Sequence, residues 1–448
     1  MTPVPNHRLI DTKVPRYTSY PTAPHFHNGI TSTTVTGWID AIAADEAISL
    51  YLHIPFCDRL CWFCACHTKQ TLRYDPVADY LATLHAEIAM LGRHLAGRGI
   101  VRAIHLGGGS PTMIRPDDLQ DLFRQLHASV TIAADASVSI EIDPNDMDEA
   151  RLDALARVGT TRASLGIQDF DPHVQKAINR EQSFEATRRV IEGLRARGVG
   201  SVNLDLLYGL PFQTLATLGK TIDLSLSLRP DRIAIFGYAH VPWFKKHQTM
   251  IDEAALPGPG MRLEQAEGAA TLIREAGYHP IGIDHFALPT DSLAIAAREG
   301  RLTRNFQGYT DDHCETLIGL GPSSISRFRQ GYAQNMPSTA AYGRLIEAGS
   351  LAVARGIAFS PDDRLRGWVI ERLMCDFGFS ANALRDMFGE SAEPILREAA
   401  LLAQASPHVV ADGDRFSIRP ESQLFARSIA AEFDSYLTLN KARHSAAI

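Results

Sequence analysis

The sequence predicts an α/β fold: an incomplete, TIM-like (β/α)6 barrel, with an N-terminal arm before it and a mostly helical, winged-helix-like domain after it. Three observations carry this expectation. Apolar, strand-like runs alternate with amphipathic helix-like stretches through the first half of the chain. Nearly every strand runs directly into an unusual polar or glycine-rich segment. After about residue 360 the alternation stops and helical patterning takes over.

The elements follow in order. Residues 1–45 lack periodicity and are punctuated by Pro15, Pro21 and Pro24, which reads as an extended arm ending in a short helix at 37–44. Strand-like runs cover 49–56, 101–106, 138–142, 162–167, 201–207 and 232–236. Helix-like stretches cover 76–95, 116–128, 148–158, 183–196 and 213–227. Six such units form either a partial barrel or a doubly wound open sheet. The strand ends favour the barrel. Strand one runs into Cys57, strand two into Gly107-Gly108-Gly109-Ser110, and strand three carries Glu141 and Asp143. Strand four ends in Gln168-Asp169, strand five holds Asp205, and strand six leads to Tyr238-Ala239-His240. Parallel strands present their C-terminal ends on one face, where barrel enzymes build their sites. The chain therefore divides as 1–45, 46–359 and 360–448.

In the last segment, helices are expected at 361–376, 381–387 and 392–402. Asp412-Gly413 between apolar runs signals a hairpin, and a final helix covers 423–436. Winged helices often bind DNA, but residues 360–448 hold 10 Lys/Arg against 13 Asp/Glu, which favours a lid or docking role. The whole chain is 448 residues long with a formal charge of −7, which speaks against a general nucleic-acid binder. It shows neither an apolar leader nor a membrane-length apolar run, so a cytoplasmic protein with no membrane partner is expected.

Four of the six cysteines, Cys57, Cys61, Cys64 and Cys66, fall within ten residues. In a chain of this length such clustering indicates metal or redox chemistry rather than a disulfide framework. Cys57-x3-Cys61-x2-Cys64 follows a strand, and three thiolates at this spacing suit a [4Fe–4S] cluster with one iron left open. Cys66 complicates this reading, because it is placed to close the fourth iron. Structural zinc ranks behind iron–sulfur, since no second Cys/His pair appears. Cys314 and Cys375 are isolated and read as small buried residues.

Together with Phe63 before the last cysteine, this spacing resembles the radical S-adenosylmethionine superfamily. The resemblance implies that the open iron chelates S-adenosylmethionine, whose reductive cleavage yields a 5′-deoxyadenosyl radical. The chain is similar, over nearly its full length, to the oxygen-independent coproporphyrinogen III oxidases (dehydrogenases). The motifs are PRYTSYPTA at 15–23, LYLHIPFC at 50–57, Cys64-x-Cys66, GGGSPT at 107–112, EIDP at 141–144, GIQDF at 166–170, NRE at 179–181, NLDLLYGLP at 203–211, GYAH at 237–240 and RNFQGYT at 304–310.

By that resemblance Cys57, Cys61 and Cys64 are the metal ligands. Tyr51, Gly108, Glu141 and Ile325 belong with a first S-adenosylmethionine. Phe63, Gly109, Ser110, Gln168, Arg180, Asp205 and Ala239 belong with a second. Tyr51 and Cys66 are expected to serve catalysis. Taken alone, Arg180 reads more readily as a surface ion pair, Asp205 as a helix cap and the glycine run as a tight turn. Glycines at a strand end otherwise let backbone N–H groups approach a ligand. Ala65 stands where the family usually has Gly; if that position needs positive φ, Ala costs about 1 kcal/mol. Arg16, Tyr17 and Tyr20 of the arm are expected to sense substrate.

The expected activity is conversion of coproporphyrinogen III to protoporphyrinogen IX, two propionates becoming vinyls, in a monomer served by an electron donor such as flavodoxin or ferredoxin. A haem chaperone or haem-acting relative on the same scaffold is the alternative. A zinc-stabilised binding module is a third.

Overall fold

The computed structural model describes residues 14–437, so the first thirteen residues of the arm and the last eleven of the C-terminal domain lie outside the described residues. The short helix α1 spans Ser32–Asp40 and starts earlier than expected. Its start is set by Thr31, whose side chain accepts from Thr34 N while Thr34 answers the Thr31 N–H. The TSTT run that reads as loop is therefore a capping box.

The six expected strands are all present, as β1 (Ala47–Ile54), β2 (Ile100–Gly108), β3 (Ile132–Ile142), β4 (Arg162–Gln168), β5 (Ser201–Tyr208) and β6 (Arg232–Gly237). They hydrogen-bond in sequential order and in parallel. A doubly wound sheet reverses its strand order partway, and this one does not. The intervening helices α2 (Asp75–Leu95), α3 (Pro116–Ser129), α4 (Glu149–Arg157), α5 (Pro172–Ala177), α6 (Phe184–Ala196) and α7 (Leu215–Ser227) begin mostly at Asp, Ser or Thr caps.

The two faces of the strands differ. Leu50, Leu52, Ile104, Ile140, Leu165, Leu204 and Ile233 are almost wholly buried and belong to one core with Leu84, Ile88, Leu122, Leu155, Leu194 and Ile222 of the helices. The alternating set, Tyr51, His105, Glu141, Ser164 and Asp205, is polar. A barrel with side-chain layers of Val, Ile and Leu inside would be filled; here the inner face is furnished for a ligand.

The sheet extends into segments without a strand-like pattern. A seventh parallel strand, β7 (Thr316–Leu320), pairs with the outer edge of β1, and β8 (Ile325–Phe328), β9 (Gly331–Asn335) and β10 (Val353–Ala358) follow antiparallel. Beyond β6 lies an antiparallel hairpin, His285–Ala287 with His279–Ile281. The barrel is thus open between β6 and β7. The segment 303–312 bridges its lower end. Asp311 takes two 2.7 Å hydrogen bonds from Arg162 at the foot of β4, and Asp312 accepts from Ser49 of β1. A bidentate guanidinium–carboxylate pair fixes this bridge in orientation as well as position.

After three helices of the extension, α8 (Pro259–Glu275), α9 (Ser292–Arg298) and α10 (Thr339–Glu347), the C-terminal part holds α11 (Pro361–Asp376), α12 (Ala381–Phe388) and α13 (Ala392–Ala405). Three strands, Gly378–Ser380, Val409–Asp412 and Arg415–Ile418, form its wing. The single final helix expected at 423–436 is not formed. A 3-10 turn at Pro420–Phe425, a short α-helix at Ala426–Ala430 and a second 3-10 turn at Ala431–Phe433 replace it. Tertiary demands break it: Asp434 accepts from Tyr17 and from Tyr436 N, turning the chain out of the helix. This part has its own apolar core, which includes Tyr17 and Tyr20 of the arm. Among the described residues no helix is long and apolar enough to cross a membrane.

Candidate active site

The cysteine loop leaves the C-terminal end of β1 and is tied off at its base. Lys69 N donates to Pro55 O at 2.6 Å and Thr71 N to Cys57 O at 2.9 Å, so residues 57–69 form a closed loop. Two segments grip it. On one side Trp62 N donates to Ile178 O and Asn179 Nδ2 to Leu60 O, each at 2.9 Å. On the other, His247 Nε2 meets Cys64 O at 2.7 Å, Lys245 Nζ donates to Cys66 O at 2.7 Å, and Gln248 Nε2 to Phe63 O at 2.9 Å. Lys245, His247 and Gln248 were not foreseen from the sequence. The only signal was a basic KKHQ run in a segment without periodicity.

The glycine run lies against the loop. Gly109 N donates to Ile54 O at 2.8 Å and Ser110 N to Phe56 O at 2.7 Å, while Gly108 N donates to Glu141 at 3.0 Å. This corrects one expectation: these N–H groups brace the loop and Glu141 and are not donors held ready for a ligand. Glycine is required for close approach. A Cβ at Gly109 would stand 2.5 Å from Phe56 O, and one at Gly107 2.7 Å from the Glu141 carboxylate. Gly108 has φ of 115°, a region that disfavours other residues.

All six strand ends open on one cavity of about 480 Å³. Its walls include Cys57, Cys61, Cys64, Cys66, Phe63, Gly108, Gly109, Ser110, Glu141, Gln168, Arg180, Asp205 and Ala239. Thirteen of the fifteen residues singled out from the sequence are therefore brought together. Tyr51 and Ile325 are not. Tyr51 donates towards His53 at 3.1 Å and stacks on His105, which in turn meets Glu141 at 3.3 Å, so it stands one residue behind the wall. Ile325 faces a separate hollow with Thr303, Arg304 and Leu317. Of the arm residues, Arg16 reaches the cavity and donates to Gly237 O, whereas Tyr17 and Tyr20 bond Asp434 and Ser435 in the C-terminal part.

The electrostatics are set by burial and by a few partners. Burial works against charge on Glu141, yet His105 and the Gly108 N–H outweigh it and hold the carboxyl below its usual range. Burial raises Asp205, against hydrogen bonds from Ser164 and Asn203 at 2.8 Å each. Arg180 is neither a surface ion pair nor exposed: Nη1 donates to Asp143 at 2.8 Å, Nη2 to Gly166 O at 2.8 Å, and its Nε is buried without a partner. Burial and the neighbouring Arg427 pull the Arg16 guanidinium down to about 10. Gln168 has φ of 67°, an unusual conformation for a non-glycine residue, at the point where β4 enters the cavity. Ala65 is not among the residues with positive φ, so its replacement of Gly carries no strain. Cys66 N lies 3.4 Å from Cys64 Sγ.

The comparisons agree with this geometry. The family model described as "Radical SAM superfamily" matches residues 51–225. The oxygen-independent coproporphyrinogen III oxidase of Paracoccus denitrificans is 48% identical over 444 residues, covering 98% of each chain. The chain belongs to the oxygen-independent coproporphyrinogen III oxidase family. An anaerobic coproporphyrinogen III oxidase of Cereibacter sphaeroides is 49% identical, covering 98% of this chain and 97% of its own. The solved coproporphyrinogen III oxidase of Escherichia coli, described as a radical SAM enzyme, superposes with a TM-score of 0.90 at 35% identity, over 95% of this chain and 100% of its own.

Membership of this oxidase family brings a [4Fe–4S] cluster and S-adenosylmethionine. The site fits both. Three soft thiol donors on one short loop share a cavity. Arg180, in the same cavity wall, keeps a buried N–H unused.

Proposed function

We propose that this chain catalyses the oxygen-independent oxidative decarboxylation of coproporphyrinogen III to protoporphyrinogen IX, converting two propionates to vinyl groups. One observation carries the reading: a loop of three ligand-type cysteines shares a single cavity with a full set of polar residues from five further strand ends. The cluster and S-adenosylmethionine, when bound, supply one-electron chemistry able to remove a hydrogen atom from an unactivated carbon.

The chain's own residues position and shield. Cys57, Cys61 and Cys64 hold the cluster; Cys66, exposed to the cavity beside Cys64, is the non-ligand thiol. Glu141, kept ionised, receives an ammonium group, and Asp205, Gln168 and Arg180 order a second S-adenosylmethionine against Phe63 and Ala239. Gly109 and Ser110 take part in that second site, and Gly108 in the first. Tyr51 acts through His105 on Glu141 rather than by contact. Ile325, which faces the adjoining hollow, belongs with the first cofactor by family resemblance. Tyr17 and Tyr20 of the arm share a core with the part after residue 360, and together these segments close over the barrel part. The protein works as a cytoplasmic monomer and draws its electron from a flavodoxin or ferredoxin.

The deciding experiment is an anaerobic assay of reduced, cluster-loaded protein with S-adenosylmethionine and coproporphyrinogen III. Protoporphyrin is detected after oxidation. A protein that cleaves the cofactor and forms no protoporphyrin would instead be a haem-handling relative.

A further inference from the structure

Arg16 of the arm faces the cysteine cavity, and Thr18, two residues on, faces a second hollow. That hollow has two lobes, of about 300 and about 130 Å³, which share Thr18, Arg304, Arg327, Tyr332 and Glu371 as walls. Of the residues assigned to the cluster and the two cofactors, Ile325 alone lines it.

Its cations are unfinished. Arg304 is only 8% exposed, and its Nε and Nη1 are buried without a hydrogen-bond partner. Its guanidinium lies over the Tyr309 ring, 4.3 Å from the centroid, and Nη2 reaches the Arg16 carbonyl at 3.5 Å. Arg327 feels Tyr332, Glu371 and Glu315 through space, without a hydrogen bond to any of them.

The acids around them, by contrast, are occupied. Glu371 accepts the Arg304 backbone N–H at 3.1 Å and lies 3.8 Å from Arg372. Glu315 pairs with Arg329 at 2.9 Å, Asp312 accepts from Cys314 N at 2.9 Å, and Asp363 accepts from Ser360 and Tyr436. Buried donors of a native structure are normally satisfied, and a guanidinium with free N–H groups is a carboxylate site in waiting. Phe306, Tyr332 and Phe359 add aromatic surface to the same walls.

We propose that Arg304 and Arg327 form a carboxylate subsite for a propionate of the substrate that the reaction leaves intact. This rests on the proposed porphyrinogen substrate. The reacting side chains must enter the cysteine cavity, and the propionates are spread around the rim of the macrocycle, so the unreactive ones lie elsewhere. The hollow on the other side of the arm, joined to it through the Arg16–Arg304 contact, supplies the charge they need.

The test uses cluster-loaded protein and two unreactive probes. One is coproporphyrin III; the other is mesoporphyrin IX, which keeps only the two propionates that the reaction retains. Binding is read by porphyrin fluorescence anisotropy. Arg327→Gln should weaken both by about tenfold, as loss of one charged hydrogen-bonding partner does, and Arg327→Lys should restore part of the loss. In turnover the Gln variant should raise KM with kcat little changed, as for loss of uniform binding. Unchanged affinity for both probes would overturn the subsite. Weakening of coproporphyrin alone would also overturn it, since a reacting propionate would then be the one held. A fall in affinity for S-adenosylmethionine would assign the hollow to the cofactor and overturn it too. If the wild type binds mesoporphyrin in an Arg327-dependent way but forms no protoporphyrin, the subsite stands and the proposed reaction fails.

Discussion

Arg180 stands with Nη1 3.7 Å from the sulfur of Cys61, and the same nitrogen donates to Asp143 at 2.8 Å. A buried guanidinium thus couples the cysteine loop to the end of β3, although the three residues are far apart in sequence.

Arg180→Gln should therefore be among the most disruptive single changes outside the cysteines. It leaves the Asp143 carboxylate, only 7% exposed, without its counter-charge. Removing one partner of a buried pair costs about 3–5 kcal/mol. The urea midpoint measures this, and a loss below about 1 kcal/mol would mean that Asp143 finds another partner.

The cysteines should separate by iron content. Cys61→Ala should lose most iron and sulfide after anaerobic reconstitution, while Cys66→Ala should keep close to four irons, as a [4Fe–4S] cluster on three ligands requires. Equal losses in both would make Cys66 a ligand and remove the open iron.

Gly109→Ala tests the fit of the glycine run to the loop. The new Cβ meets two backbone oxygens, Phe56 O at 2.5 Å and Ile54 O at 3.0 Å, and neither is the end of a movable side chain. Overpacking of this kind costs about 1–3 kcal/mol. A lowered melting temperature together with reduced iron retention is expected; wild-type values for both would show that the loop can give way.

Glu87 supplies a pH signature away from the active site. On α2 it is 2% exposed and accepts from Tyr342 Oη, Gly321 N and Asn335 Nδ2 at 2.7, 2.7 and 2.9 Å. Burial pushes its carboxyl up to about 7 against those hydrogen bonds. Folding then takes up a proton between about pH 4.5 and 7, so stability from this group is full below that window and declines as pH rises through it, by about 3 kcal/mol at most. Subtracting the Glu87→Gln denaturation midpoints from the wild-type ones should isolate this slope. Parallel curves would show that Glu87 ionises normally.

Several features were legible because local chemistry dictates them. The six strands and five helices of the βα array follow from hydrophobic period, and the cysteine loop, glycine run and Asp412-Gly413 hairpin follow from residue types that few other conformations accept. The expected strand-end site is where the cavity lies. Less was legible where partners come from afar. The strands β7–β10 are short, and β7, which joins them to the array, pairs with the distant β1, so no period marks them. The final helix is broken by Tyr17, more than four hundred residues away.

Residue types and their spacing put three ligand-type cysteines at the end of the first strand of a βα array and named ten more residues that share their cavity. What each one does there follows from the folded arrangement. It turned the glycine N–H groups inward onto the loop, buried Arg180 between Asp143 and Cys61, set Tyr51 behind His105, and placed Lys245, His247 and Gln248 as a second grip. The reason is physical: side-chain type and strand period are local properties, whereas the direction of a hydrogen bond depends on which acceptor the finished fold brings within about 3 Å.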